Sequence, residues 1–285
     1  MRVAVVGMGA IGHVVARALD GRAEVVPIDR TRSPLQGGEA PVQAAVVCVK
    51  TYGTTWAADV AQRILAPDGV IATVQNGLGN VETLGARIDP ERISLGVIYV
   101  GAELVDGRLE ATGAGRVQLG RPRDPRATAH LEALARLLAD GGMTVSVVDD
   151  PWPSVWGKLV VNAAMNPTTA LFNLRNPELL DHPAGRPIAD ELARETARVA
   201  AASGVPIDAA TAPTLWHGVA SFVNRSSMLQ DVAAGRPTEI DAINGAIARE
   251  GARHGIPTPT NEAVTILMKA LQGSSQGAPP PSTPA

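Results

Sequence analysis

Three polar residues stand four apart in the apolar stretch WGKLVVNAAMNPTTALFN (156–173): Lys158, Asn162 and Asn166. In a helix each residue turns the chain by about 100°, so steps of four drift by only about 40° and all three project from nearly one face. Polar groups inside an apolar helix cost free energy unless something satisfies them. A lone lysine there would snorkel to the surface. A lysine sharing its face with two amides reads instead as part of a pocket. Hydride delivered to a carbonyl carbon leaves an alkoxide, which needs a proton and a nearby positive charge. An ammonium supplies both once its pKa is tuned toward the working pH.

A second group opens the chain. Gly7, Gly9 and Gly12, with Met8, Ala10 and Ile11 between them, form G-x-G-x-x-G after the β-branched run RVAVVG and before HVVARALD. The first glycine permits a tight turn, the second lets the backbone approach a pyrophosphate, and the third lets helix and strand pack closely. The helix N-terminus adds N–H donors and partial positive charge. Asp29 lies 22 residues past Gly7, followed by Arg30 and Arg32. An acidic residue there grips the ribose hydroxyls of NAD, whereas an arginine accommodates the 2′-phosphate of NADP. Arg30 favours NADPH, and Asp29 leaves NADH open.

Two further stretches carry candidate ligands. Asn76 and Gly77, in TVQNGLGN, follow a strand, where open α/β sheets collect ligands and where asparagine also makes ordinary turns. In NRSSMLQDVAAGRPTEIDAING (224–245), Asn224 and Ser227 are donors suited to a carboxylate, and Glu239 follows Pro237 and Thr238. Ser227 also suits a helix N-cap, and Glu239 a first-turn charge facing the helix dipole.

The elements that must position these groups fall into two kinds. Strands are expected at 2–7, 23–29, 44–50, 70–77, 93–100, 115–120 and 144–148, with helical segments between several of them. That alternation predicts a parallel sheet with crossover helices. Beyond DDPWPSVW the sequence reads as helices broken by Pro and Gly turns. The expected fold is an α/β Rossmann-type N-terminal domain (1–150) followed by an all-α C-terminal domain (151–272). A Gly/Ser/Pro-rich tail (273–285) is expected to be disordered. Pro167 is a place where the 156–173 helix could bend, and capping, core and functional roles for Asn173 stay open.

The 285 residues carry 25 Lys+Arg against 28 Asp+Glu, a net charge of −3, without a basic run longer than a pair. Nucleic acid is therefore not an expected partner. No segment has the apolar length of a membrane span, and the N-terminus reads as a strand rather than a signal peptide, so a cytoplasmic protein is expected. Cys48, the single cysteine, reads as a buried, inert thiol. The five histidines lack ligand spacing, so no metal is expected.

The strings KxxxNxxxNPxTAL and SSMLQDxxxGRxTEIDxING, together with the glycine loop and HGIPTPTNEAV (254–264), resemble the ketopantoate reductases (2-dehydropantoate 2-reductases) over nearly the whole chain. That family uses NADPH to make pantoate on the route to coenzyme A. The resemblance implies that Lys158 is the general acid and that Asn162, Asn166 and Asn176 line the active site. It implies that Asn224 and Ser227 bind the substrate carboxylate and its neighbourhood, and that Glu239 holds the substrate hydroxyl. Lys50 and Asn76 match positions beside the nicotinamide. The chain departs from the family in two places. The stretch from Arg30 to Lys50 is shorter, and Gly53 stands where a glutamine is common.

The expected activity is NADPH-dependent reduction of ketopantoate, with ordered binding between the two domains. The alternatives are a different 2-oxo acid or an imine on the same scaffold, or a non-enzymatic NADPH-binding sensor. The 3-hydroxyacid dehydrogenases share the glycine loop and a helical lysine but not the SSMLQD…TEID string. A homodimer through the helical domain is expected.

Overall fold

The computed structural model describes residues 1–31, 40–221 and 225–276. Arg32, Asn224 and the end of the expected tail, 277–285, lie outside the described residues. The chain divides into two compact units, Met1–Val155 and Trp156–Ala285.

The first unit runs β1 (Arg2–Val6), α1 (Ala10–Leu19), β2 (Glu24–Ile28), β3 (Val42–Val47), α2 (Thr54–Ile64), β4 (Leu65–Thr73), α3 (Asn80–Gly85), β5 (Ile93–Tyr99), β6 (Ala102–Val105), β7 (Arg108–Ala111), β8 (Arg116–Gly120), α4 (Pro125–Asp140) and β9 (Thr144–Val148). Seven strands form one sheet in the order β2-β1-β3-β4-β5-β8-β9. Alternate residues of each strand face opposite sides. In β1, Val3 and Val5 pack with Val14, Val15 and Leu19 of α1 and Leu131, Leu134 and Leu138 of α4. Ala4 and Val6 face Ala57, Ala58, Ala61 and Ile64 of α2. Both sheet faces are thus covered, which is why the strands read as near-continuous apolar runs.

Two features differ from the all-parallel expectation. β5 and β8 pair antiparallel, Gly96 to Leu119 through Tyr99 to Arg116. No helix lies between them in the chain, so no crossover connection is available to make them parallel. The intervening residues instead form a separate hairpin, β6–β7. Its turn is Asp106-Gly107, with φ of +49° and +75°. Asp-Gly between two short runs is a strong hairpin signal. The expected strand at 70–77 is also displaced, since β4 starts at Leu65 and ends at Thr73.

The second unit is helical: α5 (Trp152–Phe172, beginning in the first unit), α6 (Asn176–Asp181), α7 (Gly185–Ala202), α8 (Pro213–Ala220), α9 (Ser227–Ala233), α10 (Asn244–His254) and α11 (Pro259–Gln276). Ala189, Ala193 and Ala197 of α7 pack against Val160, Ala164 and Met165 of α5 and against Trp216. The small residues let these helices approach closely. α5 runs through Pro167 and ends in a left-handed residue, Asn173, with φ of +53°. Leu174 N donates to Thr169 O at 2.9 Å, the long bond of a Schellman stop. Asn173 therefore occupies the C-terminal cap position of α5. α11 extends to Gln276, so residues 273–276, assigned to the tail from sequence, are helical.

Among the described residues no helix is long and apolar enough to cross a membrane. No group of three His, Cys, Asp or Glu residues there could hold a metal ion.

Candidate active site

Parallel strands aim their carboxyl ends at one edge of the sheet, and four candidate segments of the first unit follow such ends. The glycine loop follows β1, Arg30 follows β2, Lys50 follows β3 and Asn76 follows β4. Each glycine of the loop has its own reason. Gly7 has φ of +104°, and a Cβ there would meet Val49 N and Cγ1 at 2.6 Å. At Gly12 a Cβ would stand 2.0 Å from Gly7 O, so the third glycine is required by the contact between helix and strand. At Gly9 a Cβ would meet nothing within 4 Å. Protein packing does not require that glycine, whereas the approach of a pyrophosphate would. Gly9 is the N-cap of α1 and makes no side-chain cap, which leaves the first-turn donors of that helix to a ligand. These residues fit a dinucleotide.

Around the loop, Asp29 accepts from Thr31 N at 2.8 Å and Thr31 Oγ1 at 2.5 Å. Arg30 beside it is exposed. A polar brace missed from sequence joins the next two strand ends. Gln75 Nε2 donates to Val49 O and to Thr54 Oγ1, both at 2.9 Å, while Thr73 Oγ1 donates to Gln75 Oε1 at 2.9 Å. Thr54 Oγ1 donates to Asn80 Oδ1 at 3.1 Å, and Asn80 Nδ2 donates to Asn76 O at 3.0 Å. The brace fixes the backbone on which Lys50 and Asn76 stand. The signal for it was the cluster of amides in VQNGLGN. At Gly53 a Cβ would press Val49 Cβ at 3.2 Å, so the absent side chain suits the local packing. Cys48 is half-buried rather than buried, and desolvation pushes its thiol up to about 12, leaving it inert.

In the second unit, Lys158 and Asn162 on α5 are partly buried and Asn166 is buried. Burial pulls the Lys158 ammonium down from its ordinary 10.5 to about 8, and the charge of Glu239 opposes the fall. Glu239 comes from the loop before α10 and is itself buried, so it is not an exposed first-turn charge. Asn176 starts α6, 7% exposed, and its Oδ1 is buried without a hydrogen-bond partner. An orphaned acceptor of this kind asks for a donor from a ligand or water.

Ser226 and Ser227 take different positions at the start of α9. Ser226, not Ser227, is the N-cap of α9, accepting from Leu229 N at 3.2 Å. Ser226 Oγ also receives a 2.7 Å hydrogen bond from Thr169 Oγ1 of α5. Ser227 is the first helical residue and stays partly exposed. Its hydroxyl is therefore not committed to capping.

Comparison with known proteins bears on the family and the fold. Residues 31–124 match the family model "Ketopantoate reductase PanE/ApbA", and residues 152–272 match "Ketopantoate reductase PanE/ApbA C terminal". A 2-dehydropantoate 2-reductase of Archaeoglobus fulgidus is 36% identical over 230 residues, 79% of this chain and 75% of that protein. The solved ketopantoate reductase of Ralstonia eutropha JMP134 is 27% identical with a TM-score of 0.81, covering 97% of this chain and 100% of that one. D-mandelate dehydrogenase, solved with NADH and anilino(oxo)acetate, shares the fold at 24% identity and a TM-score of 0.87, covering 97% and 100%.

Fold, site and relatives together define a Rossmann-type oxidoreductase with a helical second unit. More particularly, the chain belongs to the ketopantoate reductase family.

Proposed function

We propose that this chain reduces 2-dehydropantoate to pantoate with NADPH, and that Lys158 is the general acid. The observation that carries this reading is the Lys158 ammonium, brought to about 8 by burial with Glu239 opposing. At neutral pH such a lysine is still protonated, yet it gives up its proton far more readily than a free one. A bound NADPH supplies the hydride for C2 of the substrate. Lys158 Nζ gives its proton to the carbonyl oxygen as charge builds there, and the product is the 2-hydroxy acid. Ser227 and Asn224 hold the carboxylate, and Glu239 accepts from the substrate hydroxyl. Asn76, Asn162, Asn166 and Asn176 line the site. Gly7, Met8, Gly9, Ala10, Ile11 and Gly12 hold the pyrophosphate by backbone N–H groups, Lys50 and Asn76 stand by the nicotinamide, and Arg30 reads the 2′-phosphate.

The test follows cofactor absorbance with ketopantoate, with other 2-oxo acids and without substrate, using NADPH and NADH in parallel. Rapid oxidation with ketopantoate and NADPH is expected. Turnover on another 2-oxo acid alone would replace the substrate, and cofactor binding without turnover on any would make the chain a sensor.

A homodimer through the helical unit belongs to this reading. Ile266 and Leu267 of α11 are 68% and 54% exposed, and Ala263 and Ala270, three residues before and after, are exposed with them. Glu262 and Lys269 border one edge of that stripe. Antiparallel pairing about a two-fold axis through 266–267 sets Ile266 and Leu267 of one copy against those of the other, with Lys269, which pairs with Asp241 of its own chain at 2.6 Å, at the rim. Sedimentation of the wild type and of Ile266→Glu should give a dimer and a monomer; a monomeric wild type would sink the idea.

A further inference from the structure

We propose that Asn244 is a positioning residue for the reaction: it supplies α5 with the hydrogen bond that Pro167 withholds, and so fixes the turn between Lys158 and Asn166. This deepens the reductase reading above and rests on it.

Proline has no N–H, so inside a helix it leaves the carbonyl four residues earlier without its intrahelical donor. For Pro167 that carbonyl belongs to Ala163, which is fully buried. A buried backbone acceptor without a partner is costly. Asn244, 81 residues away at the start of α10, fills the gap: its Nδ2 donates to Ala163 O at 3.0 Å. The same Nδ2 donates to Asn261 Oδ1 at 3.0 Å.

The direction of this chain is set at its far end. Glu195 of α7, 1% exposed, accepts from Thr260 N and Asn261 N at 2.9 Å and from Asn261 Nδ2 at 2.7 Å. In each of these contacts the N–H donates and the carboxylate oxygen accepts. Asn261 must therefore turn its NH2 toward Glu195 and its oxygen toward Asn244. Asn244 must in turn present its NH2 to both Asn261 and Ala163. The outcome is a fixed donor aimed at α5, with Asn244 Oδ1 left buried and without a partner. Asn244 and Asn261 are both fully buried, so water does not compete.

The repaired carbonyl lies between the candidate groups. Ala163 follows Asn162 directly, and Pro167 follows Asn166 directly. Lys158 and Asn162 stand before the break in the hydrogen-bond ladder, and Asn166 stands at it. The relative placement of the acid and the last amide therefore depends on how that turn is held.

The test is a double-mutant cycle between Asn244→Ala and Pro167→Ala, because alanine at 167 restores an intrahelical donor to Ala163. Asn244→Ala alone is expected to lower kcat/KM by about tenfold to a hundredfold, the scale of a small misplacement of reacting groups. In the Pro167→Ala background the same change should cost clearly less. Equal losses in both backgrounds would overturn the proposal. If Asn244→Ala does not fold, Asn244→Ser, which keeps a donor with a shorter reach, carries the same comparison.

A second readout does not depend on substrate. The chain has only three lysines, Lys50, Lys158 and Lys269, so 13C-dimethylation gives resolvable NMR titrations, assigned with Lys158→Arg. The Lys158 titration should move in Asn244→Ala and return in the double variant. A lower Tm with an unmoved Lys158 titration would mean that Asn244 is merely structural. Silence of the wild type toward all 2-oxo acids would sink the reductase reading while leaving this titration to decide the coupling.

Discussion

Glu239 opposes the effect of burial on Lys158: burial lowers the lysine's pKa to about 8, and the buried glutamate's charge limits the fall. Lys158 reaches the site from α5 and Glu239 from the loop before α10, 81 positions later in the chain. With Lys158 as the proposed general acid its protonated form is the active one, so kcat/KM should be flat below about pH 8 and fall about tenfold per unit above it. Lys158→Ala should cut kcat by about 10²–10⁴, the usual worth of a general acid, with cofactor affinity little changed. Equal losses in turnover and cofactor binding would mark Lys158 as structural. Stability follows the same shift. The unfolded chain holds this proton up to about 10.5 and the folded one only to about 8, so Lys158's contribution to stability rises with pH between those values. A urea series across that window, wild type against Lys158→Met, isolates it.

Glu239 is expected to act on both substrate and acid. Glu239→Ala should raise KM for ketopantoate more than it lowers kcat, and an unchanged KM would count against a contact with the substrate hydroxyl. Glu239→Gln removes the charge that holds the lysine up. The alkaline limb of the kcat/KM profile should then move below pH 8. A limb that stays in place would mean that the glutamate's charge does not reach Lys158.

Gly9 and Gly12 separate binding from folding. Gly12→Ala places a Cβ 2.0 Å from Gly7 O, and an unrelieved clash of this kind costs about 1–3 kcal/mol or more. Its Tm should drop. Gly9→Ala enters open space at an ordinary φ of −79°, so Tm should hold. Its dinucleotide affinity should fall by roughly tenfold or more, about 1.4 kcal/mol. Calorimetric unfolding and fluorescence titration with NADPH check the pair, and unchanged affinity in Gly9→Ala would place the pyrophosphate elsewhere.

Arg30→Ala tests cofactor choice. The neighbouring Asp29 is held by Thr31, whereas Arg30 is exposed. Loss of a charge-assisted contact of about 1.5–3 kcal/mol should raise KM for NADPH by roughly ten- to a hundredfold and leave NADH nearly unaffected. Equal penalties would show that the arginine does not read the 2′-phosphate.

Local spacing made much of the candidate site readable. The glycine loop depends on steric rules confined to six residues, and the Lys158–Asn162–Asn166 face follows from helical period alone. The strand–helix alternation likewise carried the fold class, because a sheet buried on both faces leaves apolar runs that need no partner to be recognised. The Asp106-Gly107 turn of the β6–β7 hairpin is legible by the same kind of rule.

Other features depend on residues far apart in the chain, and only the tertiary structure decided them. β8 runs antiparallel to β5 because no crossover helix separates them. Ser226 rather than Ser227 caps α9, where it also meets Thr169, 57 residues earlier. A proline within α5 reads from sequence as a place to bend. The folded chain carries the helix through it because Asn244, oriented by Asn261 and Glu195, donates to the carbonyl that proline abandons. Sequence specifies which groups a helix displays through local geometry, whereas the satisfaction of a buried polar atom is settled by whichever distant donor packing brings within 3.0 Å.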